Sequence, residues 1–282
     1  MVQAATQLEF GNMPDRLFVA TPSKLLAYED CPRRYRYSYV DRPAPPKGPA
    51  WAHNSLGASV HNALRAWYAL PREKRRLETI PALLRAGWIS EGYRDTTQEA
   101  AAFDRAVEWL ERYLGDTDPA YEPLGVERTV AAKTTTLALN GRVDRLDRRG
   151  DEIVIVDYKT GRAELTADDA RGSRALALYA YAAERTLRTT CRQVELHHLP
   201  TGTVAAHRHT EESLARHLRR AEETVADIRR AERAVAAGTD PDDAYPVAPS
   251  PRCAWCDFRA VCPAGADAPA RDPWSALPAD LD

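Results

Sequence analysis

The residues best placed to do chemistry in this 282-residue chain are Asp157 and Lys159, near the end of Ile153-Val154-Ile155-Val156-Asp157-Tyr158-Lys159-Thr160-Gly161. Four consecutive β-branched residues read as a strand buried on both faces, because a half-exposed strand would alternate with polar residues. Strand side chains alternate, so Asp157 and Lys159 project to one face about 6–7 Å apart and Tyr158 to the other. A carboxylate and an ammonium are offered together there. An isolated D-x-K also occurs as a plain ion pair where a strand leaves the core. Upstream, Gly141-Arg142-Val143-Asp144-Arg145-Leu146-Asp147 runs into the polar turn Arg148-Arg149-Gly150-Asp151. Two strands joined by that turn lie antiparallel and can set Asp144 beside Asp157. Paired carboxylates are unfavourable unless a cation neutralises them, and hard ions such as Mg²⁺ take one or two carboxylates plus water and substrate phosphate.

Together, G-x-V-D-R-x-D and I-V-D-Y-K-T-G resemble the motif pair of the PD-(D/E)XK nuclease superfamily, and within it of the RecB-like exonucleases. The resemblance implies an α/β fold with a restriction-endonuclease-like mixed β-sheet core flanked by helices. It also implies that Asp144 and Asp157 hold Mg²⁺ or Mn²⁺, that Lys159 positions or activates the attacking water, and that Tyr158 lends its backbone carbonyl to the ion. His61, in Gly57-Ala58-Ser59-Val60-His61, matches the family's G-x-x-x-H element, whose imidazole is a metal ligand. By itself it would read as a packed or solvated histidine beside an apolar helical stripe. Glu127 matches an acid the family often keeps on the preceding strand, and reads alternatively as a solvent-facing strand residue. Tyr179 matches the end of the family's Q-L-x-x-Y, but Ala175 stands where the glutamine is expected. That departure bears on activity or on placement of the DNA end, not on the fold.

The five cysteines are unevenly spread. Cys253-x-x-Cys256-x₅-Cys262 is a metal-ligand pattern that needs a fourth donor, for which Cys31 is the candidate; the spacing suits structural zinc at least as well as iron–sulfur. The segment Thr21 to Tyr37 around Cys31 resembles that of RecB-like nucleases, AddB subunits and CRISPR-associated Fe–S exonucleases, with one cysteine before the core and three after it. This resemblance implies a [4Fe–4S] cluster on Cys31, Cys253, Cys256 and Cys262 that joins N- and C-terminal helical segments. Cys191 has no counterpart there and reads as a packed strand residue. Arg33, Arg34, Tyr35 and Arg36 mix cations with aromatic faces, which suits single-stranded nucleic acid. The same residues fit a helix whose tyrosines pack inward and whose arginines meet solvent.

Five segments should position these groups: 1–50 with the first cluster cysteine, 51–118 helical with His61, 119–237 the nuclease core, 238–265 the cysteine segment, and 266–282 a poorly ordered tail. Periodicity predicts helices over Leu56 to Tyr68 with Ser55 as cap, over about 80–92, 97–114 and 167–187, and from Glu211 to Ala237. Strands are expected at Leu124 to Val130, Leu137 to Leu146 straight through Asn140-Gly141, Val194 to Leu199 and Val204 to His209. His197, His198, His207 and His209 read as mostly solvated. With 44% hydrophobic and 28% charged residues and a net charge of −2, nucleic-acid contact must come from local basic patches. No apolar run approaches a membrane span, and Met1 to Thr6 lacks a signal-peptide start, so a cytoplasmic location is expected. The expected activity is an exonuclease acting on DNA with a single-stranded end in repair or recombination. With no phosphate-loop motif, a helicase partner would be a separate chain. The competing readings are a non-catalytic DNA-binding or scaffold subunit of a helicase–nuclease complex, and an RNA-directed nuclease.

Overall fold

The run Ile153 to Val156 is a strand with no wet face, each residue at most 1% exposed. A computed structural model describes residues 17–278 and 281. In chain order the main elements are β1 (Phe18–Ala20), α1 (Pro22–Asp30), α2 (Pro32–Tyr39), α3 (Ala52–Ala69), α4 (Ile80–Ala86), α5 (Thr96–Gly115), β2 (Gly125–Lys133), β3 (Leu137–Arg149), β4 (Glu152–Lys159), α6 (Ala167–Gly172), α7 (Arg174–Leu187), β5 (Gln193–His198), β6 (Thr203–Arg208) and α8 (Glu211–Ala236). The six strands form one mixed sheet in the order β1-β3-β4-β5-β6, with β2 on the other edge of β3. β3 is antiparallel to β2 and β4, whereas β1–β3 and β4–β5 are parallel. This mixed α/β sheet flanked by helices is the architecture of a restriction-endonuclease-like fold.

Period-two alternation divides β4 between two cores. Ile153 and Ile155 pack with Leu25 of α1, Leu176 of α7 and Val225 of α8. Val154, Val156 and Tyr158 pack with Leu56, Val60 and Leu64 of α3, Leu84 of α4 and Leu110 of α5. β3 runs unbroken through Asn140-Gly141 as expected, and the chain reverses at Gly150, whose φ of +60° suits glycine.

Several boundaries differ from the sequence reading. Strand β1 is too short to show alternation. α3 starts at Ala52 with Trp51 as its cap, so Ser55 is an interior, buried residue rather than the cap. α4 stops at Ala86 before Gly87. The expected helix over 167–187 is two, broken at Ser173, where extended backbone lets the hydroxyl accept from Leu176 N–H at 3.4 Å. Within the segment expected to be poorly ordered, Leu277 and Leu281 are buried against the α3–α5 layer, and Gln98 donates to the Leu281 carbonyl at 2.9 Å. The reading of Met1 to Thr6 lies outside the described residues. No helix is long and apolar enough to cross a membrane among the described residues.

The segment from α2 to Gly48 meets residues 242–258 through direct protein contacts. Arg33 donates to the Tyr245 and Asp242 carbonyls at 2.9 and 2.8 Å, Gly48 N–H to Asp257 at 2.7 Å, and Tyr37 meets Phe258 edge to face.

Glu195 of β5 is buried but accepts from Arg149 at 2.5 and 2.8 Å, Gln193 at 2.8 Å and His197 at 3.0 Å. Burial alone would raise its carboxyl; these donors win and hold it down at about 2, against 4.5 unperturbed. A depressed acid stabilises the fold above its unfolded pKa and loses that contribution as pH falls through the folded one, so about 3 kcal/mol should disappear between roughly pH 5 and 2. Glu195→Gln should melt lower at pH 7 and show a flatter stability profile across that window in urea titrations. A profile as steep as the wild type's would remove Glu195 as its source.

Candidate active site

β3 changes partners partway along one edge. β1 pairs with it through Leu139, and β4 begins at Arg145, so residues 140–144 lie between the two registers. Asp144 sits at the near end of that gap, one step beyond the Arg145–Val156 pair and hence across from Asp157. Its carboxylate accepts from the Tyr158 N–H at 2.9 Å. The strand pair thus brings the two acids together, as the hairpin reading requires. Two more donors arrive from elsewhere. α3 delivers His61, with Nδ1 3.5 Å from the Asp144 carboxylate and Nε2 3.2 Å from the Tyr158 carbonyl. β2 delivers Glu127, whose neighbours Val126 and Arg128 pair with Arg145 and Val143, placing it opposite Asp144. Donor atoms of His61, Glu127 and Asp144 lie within 4.8 Å of one another, and among the described residues no other three ligating side chains do so. Carboxylates with one imidazole and a nearby carbonyl suit a hard or borderline divalent ion, so the donor set fits Mg²⁺ or Mn²⁺.

Asp157 stands beside this trio and is ion-paired with Lys159. Burial pushes its carboxyl above the usual carboxylate range; Lys159 offsets that and Asp144 adds to it. For His61, burial acts downward, but the Asp144 carboxylate outweighs it and the imidazole titrates above its ordinary value. In the metal-free centre Asp157 and His61 therefore both hold their protons more readily than the free groups would.

The adjoining cleft, of about 540 Å³, is lined by Thr21, Ser23, Asn62, Arg65, Arg142 and Tyr179 besides His61, Glu127 and Asp144. Tyr179 of α7 lies so close over Gly141 that a Cβ there would come within 2.3 Å of its ring. Gly57 plays a similar part under α3, where a Cβ would lie 3.1 Å from the Thr160 hydroxyl. Ala175 is half-buried in the first turn of α7 and is not part of the cleft wall. Sequence reasoning missed Arg65, Arg142 and His198. Arg142 pairs with Glu127 at 2.7 Å. His198 was expected in solvent, but is buried alongside Lys159 in register and donates from Nε2 to the Gly161 carbonyl at 2.7 Å. His197 and His209 are likewise buried rather than solvated.

The proposed nucleic-acid residues of α2 turn mostly inward. Arg33, Tyr35 and Arg36 are buried; Arg33 and Arg36 pair with Asp242, and Tyr35 stacks on Tyr245. Their own chain takes the groups that phosphates and bases would need, and Arg34 alone of the four keeps its charge at the surface, near Asp30. Cys31, Cys253, Cys256 and Cys262 all line one cavity of about 280 Å³. Among the described residues no three of their sulfurs come within 4.8 Å of each other, so they do not form a ready single-ion site. Cys191 is buried in the core, where desolvation pushes its thiol up to about 12.

Glu127 adopts φ +50°, a left-handed conformation that costs a non-glycine residue about 1–3 kcal/mol. In metal-free protein, Glu127→Gly should therefore be more stable than Glu127→Ala by about 1 kcal/mol, since glycine relieves that conformation at its own entropic cost. Both should bind Mn²⁺ more weakly than wild type. Equal melting of the two in EDTA would show that the backbone there is unstrained.

No curated protein matches the sequence. Among solved structures, the chain is similar to a candidate exonuclease from Eubacterium rectale, with 13% identity, a TM-score of 0.45, and 82% of this chain and 86% of the other covered. It is also similar to the protein SSO0001, with 16% identity, a TM-score of 0.36, and 88% and 86% covered. The family model for the PD-(D/E)XK nuclease superfamily matches residues 19–263, from β1 to just past the last clustered cysteine. With that match spanning His61, Glu127, Asp144, Asp157 and Lys159, the chain belongs to the PD-(D/E)XK nuclease superfamily.

Proposed function

We propose that the protein is a Mg²⁺- or Mn²⁺-dependent deoxyribonuclease of the RecB-like kind, acting on DNA ends in repair or recombination. The observation that carries this reading is the convergence of His61, Glu127 and Asp144 beside the Asp157–Lys159 pair in the gap of the β3 edge. His61, Glu127, Asp144, Asp157 and the Tyr158 carbonyl would hold the metal, which supplies charge stabilisation at the scissile phosphate and a nucleophile at neutral pH. Lys159, on the same strand face as Asp157, orients the water and adds positive charge where the phosphorane-like transition state is most negative. Arg65, exposed on the cleft wall, is available to the backbone phosphates, and Arg142 would join it once the metal takes the Glu127 carboxylate that now pairs with it. The motif pair quoted above is what favours DNA and an end-directed mode.

End-labelled single- and double-stranded DNA and RNA, incubated with Mn²⁺ or with EDTA, test the reading. Linear DNA should shorten only with metal, and circular single strands should resist. Cleavage confined to RNA, or DNA binding without cleavage, would overturn it in favour of an RNA-directed nuclease or a scaffold subunit. Asp157→Ala should reduce cleavage by orders of magnitude yet melt no lower in EDTA, because it removes a buried carboxylate held beside Asp144. Lys159→Ala should still bind Mn²⁺ while losing about 3–4 kcal/mol of transition-state stabilisation. Wild-type rates in Asp157→Ala would refute the assignment of the site.

Cys31, Cys253, Cys256 and Cys262 would hold a [4Fe–4S] cluster. Thiolates are the soft donors such a cluster requires, and these four line one cavity. Protein purified without oxygen should be brown and lose its colour in Cys256→Ala. Stoichiometric zinc without iron would refute the cluster.

A further inference from the structure

The acidic face of β3 and β4 has a polar counterpart buried on the other side. Arg145, the residue after Asp144, turns its guanidinium into the helical layer and is 5% exposed. It bonds Asp147 from Nη2 at 2.9 Å and is ion-paired with it through Nε at 2.9 Å. Its Nη1 reaches three phenols: Tyr68 at 2.9 Å, and Tyr113 and Tyr158 at 3.0 Å. Those rings come from α3, α5 and β4. Two N–H bonds on one nitrogen cannot serve three oxygens separately, so the phenols share donors among themselves and send a proton outward. Tyr113 provides the exit: its hydroxyl lies 2.7 Å from His197 Nδ1, and His197 Nε2 lies 3.0 Å from Glu195. Desolvation raises all three phenols, Tyr113 to about 12, which keeps them neutral acceptors for the one guanidinium.

Tyr158 belongs to both faces. Its ring is held in this network, while its N–H donates to Asp144 at 2.9 Å and its carbonyl meets His61 at 3.2 Å. The ring therefore cannot shift without carrying the peptide on which the acid and the imidazole converge. His61 and Tyr68 share α3, so the same guanidinium also fixes the helix that delivers the histidine.

We propose that Arg145 is a positioning residue for the candidate metal centre: by clamping Tyr68, Tyr113 and Tyr158 it locks α3, α5 and β4 to one another and sets the Tyr158 peptide against Asp144 and His61. The inference rests on the proposed nuclease reading for what the centre does. Lysine cannot replace the arginine, because one ammonium lacks the planar fork that grips Asp147 on one side and the phenols on the other.

The test is Mn²⁺ affinity by calorimetry and electron paramagnetic resonance, alongside thermal melts and DNA cleavage, for Arg145→Lys, Tyr158→Phe and Val154→Ala. The last trims the same core on the same strand without touching the network. Removing partners that orient metal ligands lowers affinity by about 10–100-fold, so Arg145→Lys and Tyr158→Phe should weaken Mn²⁺ at least about tenfold and reduce kcat with little change in the KM for DNA. Val154→Ala should lower the melting temperature but keep Mn²⁺ affinity within about twofold, as a variant that loses only packing. Should Arg145→Lys not fold, Tyr158→Phe and Tyr113→Phe carry the comparison. Unchanged Mn²⁺ affinity in folded network variants, an equal loss in Val154→Ala, or no Mn²⁺ binding by the wild type would overturn the proposal. Wild-type protein that binds Mn²⁺ but cuts nothing would instead refute the nuclease reading, with the positioning role still decided by the titration.

Discussion

A strand buried on both faces has to become polar somewhere, and where β4 does so decides the rest of the molecule. Its Ile153 to Val156 segment needs a helical layer on each side to exclude water, and the chain supplies them from different regions. One layer comes from α3, α4 and α5, between β1 and β2, with Leu277 and Leu281 added from the far end; the other comes from α1, α7 and α8. Beyond Val156, Tyr158 stays in the α3–α5 core while the opposite face of the strand turns polar. Asp157 and Lys159 emerge there, beside a stretch of β3 that neither β1 nor β4 pairs with.

The same constraint gives the emerging end an unusual electrostatic character. A carboxylate at the mouth of an apolar core is poorly solvated, which is why Asp157 holds its proton more readily than a surface acid despite Lys159. On the opposite face, the charge of Arg145 is accommodated by Asp147 and by phenol oxygens rather than by water. Positive charge inside and negative charge at the rim lie on two sides of one strand pair. Both are local departures from an otherwise apolar sheet.

Much of this was legible because it is local. Alternation puts Asp157 and Lys159 on one face, and the Arg149-Gly150 turn fixes which residue of β3 comes opposite, so two strands and two acids follow from some twenty residues. His61 needed more, since nothing on α3 by itself says that its helix packs over the end of β4; the family motif supplied that. The inward turn of Tyr35 was one of two open readings, but the burial of Arg33 and Arg36 with it was not legible, because a helix mixing arginine and tyrosine shows no face until its neighbour is known. That neighbour, around Asp242 and Tyr245, lies more than two hundred residues away. The burial of Leu277 and Leu281 was hidden for a related reason: the Ala, Pro and Asp around them conceal two leucines that act as single anchors rather than as a periodic stripe. Nor does any pattern announce the left-handed backbone of Glu127 or the burial of His198, both of which depend on tertiary fit.

The packing of α1 and α2 against the segment around Tyr245 has a consequence for synthesis. The contact from Arg33 to Tyr245 spans 212 positions, and the aromatic group of Tyr28, Tyr35 and Tyr245 is split the same way. A ribosome delivers the first members of that group long before the last, at about 5–20 residues per second, so for ten seconds or more the nascent α1 and α2 carry tyrosines without their final neighbour. Contacts of such high sequence separation are also the slowest to form after release. α1 and α2 are thus made well before the segment that completes their packing, and in the interval Tyr28 and Tyr35 lack the ring of Tyr245.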